Sequence, residues 1–433
     1  MKAILKLATA TTAQLRQWEA SLTNDYHSYT ALALNIDLTR GKPSSEQLSL
    51  SDQLDGILQG NYTAADGTDT RNYGGLEGLK EARQLGADML GLTVEEVLAQ
   101  GNSSLTLMYQ SIYTGLHCGF SGADSAWRHA GNIQFICPAP GYDRHFAICE
   151  QLGIEMITVA MTDTGPDMDA VERLIASDSD HRIKGLWCVP KYSNPTGIIY
   201  SEATVDRIAK LGIDAGTGFR VFWDNAYAVH DLTETPQQLA NIMDRCRNYG
   251  TEDSVIQFAS TSKITHAGSG IAFIGASTAN LAAFKSMLSR STIGPDKVNQ
   301  LRHMRLLPDY GALLAHMRKH ADILRPRFAC VLQHLEDNFG GTADLGQWQT
   351  PTGGYFVAFD TRPGLAKTVV RLAAEVGVKL TQAGATFPYG DDPQDCNIRI
   401  APSVPSLDEL DMAMKVFATC VKLAAVRQRL DNG

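Results

Sequence analysis

The stretch Val255-Ile256-Gln257-Phe258-Ala259-Ser260-Thr261-Ser262-Lys263 decides how this chain is read. Its first five residues form a short, mainly apolar run, which suits a strand buried in a sheet. A serine stands just past that run, and a lysine follows three residues later. A hydroxyl in that place can hold a phosphate. An amine on an apolar platform loses its proton readily and becomes a nucleophile toward a carbonyl carbon. A surface turn can carry the same letters, so the stretch takes its meaning from the other strand ends.

Two further runs end in polar residues. Leu186-Trp187-Cys188-Val189-Pro190 leads into Ser193-Asn194-Pro195-Thr196-Gly197. There Asn194 offers both a donor and an acceptor, and Pro195 and Gly197 force a turn. Arg220-Val221-Phe222-Trp223 leads into Asp224-Asn225-Ala226-Tyr227. A carboxylate directly after an apolar strand needs a cation or several donors to stay charged. A protonated pyridine nitrogen would serve, and Tyr227 could reach the phenolic oxygen of the same ring. Taken singly, Asn194 reads as a turn former, Asp224 as a helix cap and Lys263 as a solvated surface residue. Taken together, beyond the carboxyl ends of strands in a doubly wound sheet, they describe a site for pyridoxal 5'-phosphate.

The surrounding pattern supports such a sheet. Short apolar runs alternate with amphipathic helices, as in a parallel sheet covered on both faces. Strands are expected at 133–137, 156–160, 185–189, 220–223, 254–258 and 271–276. A helix after Ser201 carries Val205, Ile208 and Ala209 on one face. From about residue 310 the pattern changes to long helices, then strands near 353–359 and 397–400. A last helix opens with the capping box Ser406-Leu407-Asp408-Glu409 and has Leu410, Met414, Phe417 and Val421 as its apolar face. The expected fold class is α/β. A large, doubly wound, mostly parallel sheet of the seven-stranded type would occupy 61–310. A smaller α+β domain would combine 1–60 with 311–433.

Composition narrows the function. The 433 residues exceed one ordinary core, and a net charge of −9 argues against nucleic acid or an anionic membrane as partner. No apolar run approaches the roughly 20 residues of a membrane helix. The eight cysteines show no Cys-x-x-Cys spacing, which suits reduced thiols and a cytoplasmic protein. The start, Met1-Lys2-Ala3-Ile4-Leu5-Lys6, carries a basic residue inside its apolar patch and runs into the helical spacing Thr12…Leu15…Trp18…Leu22. It reads as a first helix rather than a signal peptide. His316 and His320 stand at i, i+4, but no glutamate follows the first as in metalloprotease helices. A surface helix is expected there, and no metal site.

These motifs resemble the fold type I pyridoxal-phosphate aminotransferases. Further matches are Tyr73…Gly78-Leu79-Lys80, Pro351-Thr352-Gly353-Gly354-Tyr355-Phe356 and Ile398-Arg399-Ile400-Ala401, so the resemblance spans most of the chain. Leu38-Thr39-Arg40-Gly41-Lys42-Pro43 and 137–146 resemble a bacterial aspartate aminotransferase subgroup related to the effector domains of MocR-type regulators. The resemblance implies that Lys263 anchors the cofactor and moves the proton. It implies that Asp224 pairs with the ring nitrogen, and that Tyr227 and Asn194 bond the ring hydroxyl. Ser260 with Ser103, Ser104 and Leu105 would hold the phosphate at a helix N-terminus. Tyr73 would reach a phosphate across a homodimer interface. Arg399 would grip the substrate α-carboxylate, with Gly41 closing over it. Amino acids and keto acids, aspartate and glutamate first, are the implied substrates, and Arg40, Lys42, Arg144 and His145 are the basic residues near the site.

Two positions depart from that pattern. Gly270 stands where many relatives carry a phosphate-binding arginine, and Ala139 where they carry a ring that stacks on the cofactor. Tyr142 or Tyr109 could supply that ring. Other specificities within the cofactor family, a decarboxylase or lyase, and a regulatory effector domain are the alternatives. A nicotinamide enzyme fits poorly, because Gly268-Ser269-Gly270…Gly275 precedes an apolar strand instead of opening a helix.

Overall fold

Eight strands form the main sheet: β1 (Val97–Gln100), β2 (Gln134–Ala139), β3 (Glu155–Thr162), β4 (Gly165–Pro166), β5 (Ile183–Cys188), β6 (Arg220–Asp224), β7 (Val255–Ser260) and β8 (Ala272–Ala276). Their spatial order is β1-β8-β7-β6-β5-β2-β3-β4. The computed structural model describes residues 6–341 and 344–432, so the apolar patch at 1–5 lies outside the described residues. Strands β3, β2, β5, β6 and β7 run parallel, while β8 pairs antiparallel with both β7 and β1. The reversal at β8 has a simple cause. Only 261–271 separates it from β7, too short for the crossover helix that a parallel neighbour requires. Lys263 lies inside that connection.

The central strands are apolar because both faces are covered; β5, β6 and β7 are buried along their whole lengths. Seven named helices suffice to place the site: α1 (Thr12–Thr30), α2 (Ser45–Ser49), α3 (Ser104–Tyr113), α4 (Asp143–Gln151), α5 (Glu202–Asp214), α6 (Tyr310–Phe339) and α7 (Leu407–Asp431). On one face α3 and α4 pack Leu107, Ile112, Phe146 and Cys149 against Phe222, Ile256 and Phe258. On the other, α5 packs Val205, Ile208 and Ala209 against Val221, Trp223 and Val255. The alternation along each strand sorts its side chains between these two layers.

The expected mostly parallel sheet is present, with two differences. The short strand β1 escaped the sequence reading because its four residues end in the polar Gln100. The two-residue β4 makes the sheet eight-stranded rather than seven-stranded. The strand expected near 353–359 starts later, at Val357. Gly353 is instead held to Asp231 by an isolated bridge, its backbone pressed against the Tyr192 ring.

A three-stranded antiparallel sheet orders Gly346–Trp348, Val357–Thr361 and Asn397–Ile400, with Arg399 opposite Ala358. Behind it α7 opens with the expected capping box and buries Leu410, Met414, Phe417 and Val421 completely. These join Leu15 of α1 and Leu324, Phe328 and Val331 of α6 in one core. Loss of the Phe417 ring would cost about 3–5 kcal/mol.

Candidate active site

Chain order reverses between β2 and β5. From β2 the chain steps outward to β3, then returns to β5 on the opposite side. The carboxyl ends of strands at such a switch point leave a crevice. A cavity of about 600 Å³ lies there. Gly41, Ser103, Ser104, Leu105, Asn194, Asp224, Tyr227, Ser260, Lys263 and Arg399 all line it. Tyr73 does not; it is 81% exposed on the surface.

Each wall has a local origin. Ser103 caps α3 with extended backbone and makes no side-chain cap bond, so the first N–H groups of α3 lack an internal partner. That helix end faces the cavity with a partial positive charge. The Ser262 hydroxyl donates to the Asn102 carbonyl at 2.9 Å, and the Asn102 amide donates to the Gly268 carbonyl at 2.8 Å. These two bonds fasten the α3 N-terminus to the loop that carries Lys263.

Asp224 ends β6 and is 3% exposed. Its Oδ2 accepts from His145 Nε2 at 3.0 Å, and the imidazole lies flat on Trp187, 4.0 Å between centroids and 5° between planes. The other oxygen, Oδ1, is buried with no donor among the described residues. An unmatched buried carboxylate oxygen costs free energy, so this site fits a ligand bearing an N–H directed at Oδ1. Lys263 Nζ sits 5.2 Å from the centroid of Tyr227. Burial lowers its pKa, against an opposing pull from the Asp224 charge. Burial also holds the Tyr227 phenol well above its ordinary pKa, so it remains a donor.

Arg399 is 6% exposed and held on all sides. Nη1 donates to Asp143 Oδ1 and Asn194 Oδ1, each at 3.2 Å. Nε donates to Thr381 Oγ1 at 3.3 Å, and Nη2 to the Thr39 carbonyl at 3.4 Å. The guanidinium carbon stands 4.8 Å over the Phe356 ring. All four bonds are longer than the 2.7–2.9 Å of a charge-assisted pair, so the fork is oriented yet free to prefer an incoming carboxylate. Gly41 is required by the same ring: a Cβ there would stand 2.5 Å from Phe356 Cζ.

Several expectations need correction. His145 is not a cation available to a substrate; it is 1% exposed and spent on Asp224. Gly270 could not carry an arginine into the cavity without rearrangement. A Cβ there would meet Thr261 Oγ1 at 2.8 Å, and that hydroxyl is already fixed by the Ile271 N–H. Of the two candidate stacking rings, Tyr142 lines the cavity, and burial pushes its phenol up to about 12. Tyr109 does not line it. His316 and His320 are buried, at 5% and 1% exposure, and do not lie on a surface face. Arg40, Lys42 and Arg144 do line the cavity. They are exposed, and none forms an ion pair among the described residues.

The family model for aspartate amino-transferase matches residues 10–432. This chain belongs to the aspartate aminotransferase family. The aspartate aminotransferase of Corynebacterium glutamicum is 45% identical over 393 residues, 90% of this chain and 90% of its own length. The crystal structure of an aspartate transaminase from the same species superposes with a TM-score of 0.93 at 42% identity, covering 99% of this chain and all of that one. The α-aminoadipate aminotransferase of Thermus thermophilus, solved with N-(5'-phosphopyridoxyl)-L-leucine, has the same fold. Its TM-score is 0.72 at 20% identity, over 92% and 94% of the two chains.

For a member of this aminotransferase family, His145, Asp143, Thr381 and Phe356 are the site residues that sequence reading missed or misassigned. His145 left one signal. It shares the buried face of α4 with Phe146, Ile148 and Cys149, where a histidine needs a partner.

Proposed function

We propose that this protein is a pyridoxal-phosphate-dependent aspartate aminotransferase, exchanging the amino group between L-aspartate and 2-oxoglutarate. The observation that carries the reading is the meeting of three groups in one cavity: the Lys263 amine, the unmatched Asp224 oxygen and the oriented Arg399 fork. When bound, the cofactor supplies an aldehyde for the amino group and a ring that accepts electrons.

In this reading Asp224 Oδ1 accepts the ring N–H, and His145 keeps the carboxylate turned toward it. Tyr227 Oη and Asn194 Nδ2 donate to the ring oxygen, and Tyr142 covers the ring. Ser260, Ser103, Ser104 and Leu105 at the α3 N-terminus hold the phosphate. Arg399 holds the substrate α-carboxylate, and Gly41 lets residues 39–42 close down over it. Lys263 Nζ, whose pKa burial lowers, would take the proton from the substrate α-carbon and return one to the cofactor's aldehyde carbon. Arg40, Lys42 and Arg144 face the second carboxylate of a dicarboxylic substrate. This work is assigned to a cytoplasmic homodimer, with Tyr73 reaching the partner's phosphate site. It is divided between a cofactor domain, 61–310, and a smaller domain, 1–60 with 311–433. Eight free thiols suit a reducing compartment.

The test is a panel of single amino acids given to protein loaded with the cofactor, with keto-acid products identified. Aspartate yielding oxaloacetate and glutamate yielding 2-oxoglutarate are expected. Turnover of alanine or aromatic amino acids in their place would overturn the substrate assignment.

A further inference from the structure

Behind Lys263, on the side away from the cavity, lies a closed group of buried polar residues that the reaction above does not use. Gln47 of α2 is fully buried, His320 is 1% and Tyr355 0% exposed, and His316 and His230 are buried beside them. Hydrogen-bond geometry fixes the direction of nearly every bond. The Gln47 side-chain oxygen is committed to the Ser44 N–H at 3.1 Å, within the capping box that opens α2. Gln47 Nε2 is therefore the donor. It gives one proton to Tyr355 Oη at 2.8 Å and the other to His320 Nδ1 at 3.0 Å. Tyr355 Oη donates onward to the Lys263 carbonyl at 3.5 Å, and His230 Nε2 reaches the same carbonyl at 3.4 Å. His316 Nε2 donates to the next carbonyl, that of Ile264, at 2.8 Å. Since His320 accepts at Nδ1, its own proton sits on Nε2, 3.2 Å from His316 Nε2.

We propose that Gln47, acting through Tyr355 and the His316–His320 pair, is a positioning residue that holds the Lys263–Ile264 backbone and ties it to the segment carrying Gly41. Two features favour this over a filler role. The network ends on the backbone carbonyls of the lysine and of its neighbour, which set the direction of the side chain. Its other end lies six residues from Gly41, in the segment that lines the mouth of the cavity. Closure of 39–42 on a substrate therefore pulls on the same hydrogen-bonded unit that aims the amine. The unit works only when neutral. A second proton on His320 would set N–H against the Gln47 N–H, and burial holds its pKa down to about 4. Burial likewise lowers the pKa of His316 and of His230, the rings facing this group from α6 and from the segment after β6.

The inference rests on the aminotransferase reading for its effect on turnover, but its direct readout does not. Gln47→Glu keeps the shape and removes the donor; Gln47→Leu removes both polar atoms. The reactivity of the Lys263 amine toward acetic anhydride is followed against pH in the full chain by mass spectrometry. Loosening the backbone lets water reach the amine, so its pKa rises toward the ordinary value and the labelling midpoint moves up. In the cofactor-loaded protein kcat with aspartate falls about tenfold while KM changes far less, as for a misaimed reacting group. If folded Gln47→Glu keeps the wild-type labelling midpoint, the positioning role is overturned, whatever happens to Gln47→Leu or to turnover. If the midpoint moves but wild-type protein transaminates no amino acid, the proposed function falls and the positioning role stands.

Discussion

At the floor of the cavity, Asn194, Asp224, Tyr227, Ser260 and Arg399 are each 7% exposed or less, and most are held by hydrogen bonds or packed rings. At the mouth, Arg40, Lys42 and Arg144 are exposed and form no ion pair among the described residues. The difference follows from where the chain places them. The floor is built mainly from strand ends and the turns that leave them, where neighbouring strands fix each position. The mouth is built from a loop and the solvent side of α4. A rigid floor aims groups at reacting atoms. An exposed, charged mouth suits the attraction of a second carboxylate and leaves the side-chain preference adjustable.

The largest break in this comparison is Lys263→Ala. Loss of the proton-moving amine is expected to lower turnover of aspartate by about 10⁴-fold or more, with the melting temperature little changed. Next is Asp224→Asn. It keeps an acceptor for His145 but replaces the free oxygen by a donor, so a ring N–H can no longer be bound. A kcat lower by about 10²–10³-fold is expected, on the scale of losing one aimed electrostatic group. This change also has a signed pH effect. Asp224 raises the pKa of Lys263 while burial lowers it, so removing the charge leaves burial alone. The labelling midpoint of Lys263 should move down in Asp224→Asn, opposite to the shift expected for Gln47→Glu. An unchanged midpoint would mean that the two groups do not communicate.

Arg399→Lys tests the floor at its outer edge. A lysine carries the charge without the planar fork, so kcat/KM for every amino acid should fall by about 100-fold, aspartate and alanine alike. A loss confined to aspartate would place Arg399 at the distal carboxylate.

The floor was legible in the sequence because its parts are local. An apolar run followed by Asn194, Asp224 or Ser260 names both a strand and what stands at its end, and the parallel sheet then brings those ends together. Relations across the sheet were not legible. His145 and Asp224 are 79 residues apart, and nothing near either one announces the other. Gly270 read as a missing arginine; the close approach of Thr261 explains the glycine, but only three dimensions reveal it. His316 and His320 were recoverable. They share helical spacing with Leu313, Met317, Ala321 and Leu324, and that periodicity marks a buried face whatever metal motif the two histidines suggest.

The mouth should yield the smallest effects and the most selective ones. An exposed charge is worth about 0.2–1 kcal/mol to a partner in water, so Arg144→Gln or Arg40→Gln alone should raise KM for aspartate only about two- to fivefold. Three facts make the test sharp despite that size. The effect should be absent for alanine, which has no second carboxylate. It should shrink as salt is raised, because exposed charges are screened within about 8–10 Å at physiological ionic strength. And kcat should hold, because these residues are exposed at the mouth rather than buried in the floor. A kcat that fell together with KM in Arg144→Gln would show that the mouth and floor are one unit. The arginine would then act through Asp143, its neighbour on α4, whose carboxylate orients Arg399.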